Sequence, residues 1–309
     1  MKDGLKTSAS FEFFDYRTSQ PPPPPYPGKG HDDGDDGLSV KTDAFWSYCG
    51  PLLSQSDDLP PSLDEWAAAA LSTSLLPVLL PFLAFANDLL AKNGLHHYWL
   101  TIRATKATAE FDKPRWHADD LFFANGPSGG LRAPLAPPPP SSSKGSGGRI
   151  PRILMRRKSQ KPALALQTDW KLCATLLGPS TQFIPAEHQA AARATSRAAR
   201  RALATDHACT SVRCVGCASA ADAVRERLAT ELEPLGRVEA GAGACAVFRI
   251  GQDRGAVHSE PRMSGGDRVF VNVVPGRREE LAGLVAKWGM GFPRSWWVAP
   301  GVLRGHELT

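Results

Sequence analysis

From Tyr98 the chain reads YWLTIRATKATAEF, in which Leu100, Ile102 and Ala104 alternate with Trp99, Thr101, Arg103 and Thr105. A period of two with β-branched residues predicts a strand that buries one face, and it runs straight into DKPRWHADD. Strand character returns in TDWKLCATLLGPSTQFIP, which ends in a Gly-Pro-Ser-Thr turn, and again in ACAVFRIGQDRGAVHSEP and DRVFVNVVPG. The strands are short, the turns are rich in Gly and Pro, and no strand–helix–strand rhythm links them. This organisation points to an antiparallel sandwich or barrel with flanking helices, a mainly β member of the α+β class.

Helical patterning lies on either side of these strands. Residues 62 to 90 read as helical, with Ser62 placed to cap and Asp64 and Glu65 suited to a first turn. Within them WAAAALSTSLLPVLLPFLAFA, Trp66 to Ala86, carries no charge over 21 residues, a length that can cross a bilayer. Pro77 and Pro81 interrupt it and acids bound it, so a buried helix, or two short ones broken at the prolines, is the better reading. After Pro185, AEHQAAARATSRAARRALA predicts a helix whose apolar face is only alanine. SAADAVRERLATELEPLG predicts another, opening on a Ser219-x-x-Asp222 capping pattern. Both read as an insertion on the outside of the β domain. RREELAGLVAKWGMGFPRSWWVAP adds an amphipathic helix and three tryptophans that could cover a sheet.

Composition changes this picture at the edges. The 27 prolines and 28 glycines among 309 residues are unevenly spread, which assigns much of the length to loop and tail. PPPPPYPG and HDDGDDG make residues 1–43 a disordered tail, followed by a helical segment over 44–97 and the β domain over 98–309. That domain carries inserts at 125–163, basic and of low complexity, and at 186–242, rich in Ala and Arg. From Leu131 to Leu164 there are eight basic residues and no acid; such a run is a flexible soluble loop, or a contact for an acidic partner. The net charge of +5 permits nucleic-acid contact without arguing for it. Six cysteines lack the density of a disulfide scaffold, and MKDGLKTSASFEFFDY has no signal-peptide core. The expected compartment is intracellular, cytoplasmic or nuclear, with a membrane span not expected.

The candidate chemistry begins at PRWHADD. On an extended chain His117 and Asp119 face the same side, with Trp116 and Asp120 opposite. A lone His-x-Asp is common in turns, but His258 sits in RGAVHSEP beside a strand, and Arg268 follows ten residues later in RVFVNVV. Two imidazoles and one carboxylate with open positions form the facial triad that suits non-haem Fe(II). The Arg268 guanidinium can hold a carboxylate through two parallel hydrogen bonds; Lys171 and Arg262 are alternatives for that role, and Thr175 and Asn272 are candidate hydrogen-bonding neighbours. A second cluster, HACTSVRCVGC, offers His207, Cys209, Cys214 and Cys217 for a tetrahedral zinc site, against the commoner reading of free cysteines in an insert. His96 and His97 read as ordinary half-exposed residues.

His-x-Asp, a long gap, then His and an Arg ten residues on resembles the double-stranded β-helix Fe(II)/2-oxoglutarate oxygenases, and LCATLLGPSTQF is similar to their central strand-turn-strand. A closer resemblance is to a family of uncharacterised bacterial and fungal proteins, domain of unknown function 1826. It is carried by PRWHADD, LLGPSTQFIP and RGAVHSEP, and spans about residues 95 to 275. The resemblance implies a jelly-roll, cupin-like core, Fe(II) bound by His117, Asp119 and His258, and 2-oxoglutarate held by Arg268 in a hydroxylase-type oxygenase of unknown substrate. The long inserts after Asp119 and Pro185 depart from the pattern, and the closer family brings no activity with it. The rival reading is a jelly roll without turnover, a metal-binding or interaction module whose basic insert at 131–164 contacts an acidic partner.

Overall fold

The alternation after Tyr98 forms a strand at the middle of a large antiparallel sheet. The computed structural model describes residues 9–17, 37–53, 59–110, 112–123, 169–204 and 214–298. In chain order these form β1 (Phe11–Asp15), β2 (Ala44–Pro51), α1 (Pro61–Ala70), α2 (Leu76–Lys92), β3 (His97–Thr105), β4 (Trp170–Leu177) and β5 (Gln182–Phe183). They continue as α3 (Gln189–Ala202), α4 (Val215–Glu231), β6 (Val238–Glu239), β7 (Ala244–Arg249), β8 (His258–Ser259), β9 (Arg268–Gly276), α5 (Arg278–Ala286) and β10 (Arg294–Val298).

A seven-stranded sheet runs β1-β7-β4-β9-β3-β2-β10 and a three-stranded sheet runs β6-β5-β8. Every strand pairing among the described residues is antiparallel, as expected for the α+β class. The two sheets do not join into a closed barrel. A bridge between His117 and His258 adds the His-x-Asp segment to the free side of β8.

Alternation decides what each face of the large sheet buries. Leu100, Ile102, Leu172, Val247, Val269, Val271 and Val273 pack beneath Trp66 of α1 and Leu79, Phe82 and Leu90 of α2. Each such side chain contributes about 1.5–3 kcal/mol when fully buried, which makes this layer the main source of stability. The opposite face carries Phe11, Cys173, Phe248 and Phe270, which meet Phe183 of the small sheet.

Several boundaries differ from the sequence reading. Phe11–Asp15 lies within the stretch read as tail, yet pairs along β7 and places Phe11 on Phe183. Residues 44–51 open the segment read as helical and form β2, whose Trp46 and Tyr48 belong to the main core. The uncharged stretch breaks between Ala70 and Leu76, ahead of both prolines; Pro77 sits in the first turn of α2, where its missing N–H is harmless, and Pro81 lies inside the helix. No helix among the described residues is long and apolar enough to cross a membrane. Ser62 does not cap α1, whose N-cap is Pro60; its hydroxyl accepts from Trp46 Nε1 and donates to Ser295. Likewise α4 begins at Val215, a full turn before Ser219.

The 186–242 insert is built into the domain. Its end supplies β6, while α3 and α4 bring Ala192, Ala199, Leu228 and Leu232 onto Trp116, Ile184 and Val257. Buried Gln189 donates to the carbonyls of Ile184 and Val257 and accepts from Val257 N, so one side-chain amide bridges backbone groups on both flanking strands. The insert at 125–163 and the basic run at 131–164 lie outside the described residues. Near the C-terminus, Trp296 and Trp297 lie within a strand of the sheet, on β10.

The turn after β4 depends on one glycine. Gly178 has φ +83°, and a Cβ there would stand 2.0 Å from the Asp267 carbonyl oxygen. Gly178→Ala is therefore expected to lower the unfolding free energy by at least about 2 kcal/mol, measured as a shifted urea midpoint with an unchanged slope.

Candidate metal centre

Residues 115 to 119 are held in register by main-chain hydrogen bonds at three points. Arg115 N donates to Ser259 Oγ (2.8 Å), His117 and His258 exchange N–H···O bonds of 2.9 Å each way, and Gly251 N donates to the Asp119 carbonyl (2.7 Å). Gly255 closes the turn before β8, since a Cβ there would meet Gly251 O at 2.5 Å. Gln252 Nε2 caps the segment, donating to Ala118 O and to Asp120 Oδ1. Trp116 turns the other way and is buried under the α3–α4 pair.

The two rings are aimed by their own Nδ1 atoms. His117 Nδ1 lies 2.8 Å from Arg115 O and His258 Nδ1 lies 2.9 Å from Ala256 O. A carbonyl only accepts, so in each neutral ring Nδ1 carries the proton and Nε2 keeps its lone pair. His117 Nε2 is 3.5 Å from Asp119 Oδ1, and His258 Nε2 is 3.6 Å from Asp119 Oδ2. One ligand atom from each of the three residues lies within 4.8 Å of the others. Two donors on one ion stand at most about 4.2 Å apart with bonds of about 2.1 Å, so the carboxylate-to-imidazole spacings suit a shared ion. His117, Asp119 and His258 thus form a group that can hold a metal, with ring orientations fixed as metal-binding imidazoles require.

Protonation favours the same use at His258 and Asp119, and opposes it at His117. Burial pushes His258 down to about 4, so it is neutral near pH 7. Burial would also raise Asp119, but the Lys171 ammonium and the two imidazoles outweigh it and hold the carboxyl well below its usual range. At His117 burial is outweighed by the hydrogen bond to Asp119 and by Glu260, and the ring is raised above its ordinary value. Asp119 Oδ2 is buried without a hydrogen bond; Lys171 Nζ stands 2.6 Å away but out of hydrogen-bond alignment. A buried carboxylate oxygen in that state fits a cation.

Arg268 lies apart from the triad at the start of β9, buried. Its Nε donates to Pro179 O and its Nη2 to Thr181 Oγ1, each at 3.0 Å, and its plane lies 4.3 Å over Phe270. Burial draws it down to about 10, and no carboxylate among the described residues pairs with it. Cys173 spans the gap: it follows Lys171 by two residues on β4, and its Sγ lies 3.9 Å from Thr181 Oγ1. Asn272 sits opposite Cys173 with a buried, unpartnered Oδ1, and Thr175 sits opposite Phe270. Of the two alternatives to Arg268, Lys171 is at the triad, while Arg262 lines a different cleft with Asp112 and Glu226.

A cleft of about 560 Å3 opens over His117 and Asp119, between their segment and the α3–α4 pair, whose Arg200, Ala221 and Arg225 form its far wall. Sequence patterns do not announce this wall, because the helices read as external. They also miss Glu260, which pairs with Arg115 at 3.6 Å beside the site. Of the possible zinc cluster, His207 and Cys209 lie outside the described residues, and Cys214 and Cys217 stand at the start of α4. Among the described residues the triad is the one His/Cys/Asp/Glu group that can hold a metal. No family model, curated protein or solved structure matches the chain.

The site is expected to bind one divalent ion per chain, with His117→Ala or His258→Ala lowering affinity about 100-fold by calorimetric titration of Co(II). Because His117 must shed its proton to ligate, and its ring is raised above 6.5, affinity should fall as pH drops from about 8 to about 6; a pH-independent constant would contradict the assignment.

Proposed function

We propose that the protein is an Fe(II)- and 2-oxoglutarate-dependent oxygenase of the hydroxylase type, built on a double-stranded β-helix. The observation that carries this reading is the convergence of His117, Asp119 and His258, with both Nε2 atoms turned toward the carboxylate. Two histidines and one carboxylate leave coordination positions open for a co-substrate and O2.

The pairing order supports the β-helix. From β3 to β9 the chain pairs in four nested couples, with β5–β6 innermost, then β4–β7, then His117 with β8, and β3–β9 outermost. Successive couples alternate between the small and large sheets, which is the wiring of a jelly roll. The motifs that resemble those of the oxygenases and of domain of unknown function 1826 fall on or beside these strands and turns.

Fe(II) with 2-oxoglutarate supplies O2 activation, in which O2 is consumed, the 2-oxo acid becomes succinate and CO2, and one oxygen atom enters a substrate C–H bond. The chain's own residues hold and orient. His117, Asp119 and His258 present the ligand atoms. Arg268, buried and without a carboxylate partner, suits the far carboxylate of the 2-oxo acid, with the Thr181 hydroxyl beside it. Phe183 stacks on His258 at 5.6 Å and Phe248 lies 4.9 Å from it, so the rear of the site is apolar and excludes water. His117 keeps a third of its side chain exposed to the cleft, the side from which substrate would approach.

One observation favours the rival reading of a module without turnover: the Lys171 ammonium already neutralises Asp119. Succinate formation separates the two. With Fe(II), ascorbate and 2-oxoglutarate, the wild type is expected to release succinate slowly without added substrate and His117→Ala to release none. Arg268→Met should raise the KM for 2-oxoglutarate about 100-fold, the loss of a buried charge-assisted contact. A wild type that binds Fe(II) yet forms no more succinate than His117→Ala, with or without candidate substrates, would favour the module.

A further inference from the structure

Lys171 projects from the inner face of β4 with a side chain 12% exposed, its Nζ 2.6 Å from Asp119 Oδ2 and 5.3 Å from the centre of the Phe248 ring. Its neighbours on that face, Cys173 and Phe248, are otherwise apolar. A lysine in this position opposes simple metal binding, because it competes for the carboxylate that the metal needs. With a divalent ion held by two neutral imidazoles and Asp119, the ligand group carries one net positive charge. Lys171 adds a second and buried Arg268 a third, while the other two acids that line the cleft are engaged elsewhere, Glu260 with Arg115 and Asp120 with Gln252. Uncompensated charge of one sign in a largely apolar interior is unfavourable, and a dianion bound there would relieve most of the imbalance.

We infer that Lys171 is a co-substrate-binding residue: its ammonium takes the carboxylate beside the keto group of the 2-oxo acid, and it thereby makes metal binding and dianion binding depend on one another. The inference rests on the oxygenase reading and names a residue of the same site. Arg268 serves the far end of the dianion; Lys171, in contact with a metal ligand, serves the near end. In the absence of a dianion Lys171 competes with the metal for Asp119. When the dianion is present it takes over the ammonium and frees Oδ2. By linkage, each ligand then tightens the other by the same factor.

The test uses Mn(II), followed through the EPR signal of the free ion, in the full chain without O2 so that nothing turns over. In the wild type, saturating 2-oxoglutarate is expected to tighten Mn(II) at least ten-fold. Lys171→Met should bind Mn(II) alone at least ten-fold more tightly than the wild type and lose most of the enhancement, while Lys171→Arg keeps it. Circular dichroism and thermal unfolding verify that each variant is folded, and His117→Ala serves as the blank. If folded Lys171→Met binds Mn(II) alone no more tightly than the wild type, or keeps the full enhancement, Lys171 does not have this role even if the oxygenase reading stands. If Lys171→Met tightens Mn(II) but 2-oxoglutarate has no effect on either protein, the assignment of the 2-oxo acid fails, and the inferred role with it. Absence of Mn(II) binding in every variant overturns both.

Discussion

The reciprocal backbone hydrogen bonds between His117 and His258 are the joint on which the site depends. They set two distant stretches of chain in one register, and everything useful about the triad follows from that register. Each imidazole leans back on the carbonyl two residues earlier in its own segment, so the two rings present the same nitrogen. Asp119, two residues on from His117, falls between them because its own carbonyl is tied to Gly251. A slip of one residue would turn both ligands of the His-x-Asp segment outward. The bond from Arg115 N to Ser259 and the glycine-only turn at Gly255 oppose such a slip.

The interior that this joint serves is divided in purpose. One face of the large sheet is a continuous hydrophobic layer beneath α1 and α2, and it supplies the stability. The other face mixes aromatic rings with Lys171, which pairs with Asp119, with Arg268, which has no carboxylate partner among the described residues, and with Asn272, whose Oδ1 is buried without a partner. Buried polar atoms left short of partners are unfavourable for folding alone, and the proposed binding of a cation and an anion would give a physical reason for keeping them. Cys173 connects the surroundings of Lys171 and Arg268: it follows Lys171 by two residues on β4, and its Sγ lies 3.9 Å from the Thr181 hydroxyl that accepts from Arg268.

Helices α3 and α4 complete the site from outside. On α3 the contact surface is alanine, Ala192 and Ala199, and α4 adds Leu228, which together cover Trp116 and Val257 and leave a cleft over His117. Larger side chains on the same faces would pack the cleft shut. The Gln189 amide fixes this pair to the small sheet by taking up backbone groups beside two strands, and the wall of the cleft is therefore tied to the segments that carry the candidate ligands.

Local pattern by itself determined the strands from Tyr98 onward, the antiparallel character, the helical nature of the Ala/Arg-rich segments and the identity of His117, Asp119, His258 and Arg268 as candidates. These follow from a period of two or of 3.6 and from donor chemistry, which are properties of neighbouring residues. The tertiary structure alone decided matters that rest on contacts between distant ones. Phe11–Asp15 is a strand because β7 offers it an edge, and residues 44–51 are a strand because β3 does. The Ala/Arg helices are a cleft wall because Gln189 and an alanine face anchor them over the small sheet. Which of the two strand-borne cations, Lys171 or Arg268, stands at the triad was open in the chain; the sheet register decided it by setting Lys171 against Asp119.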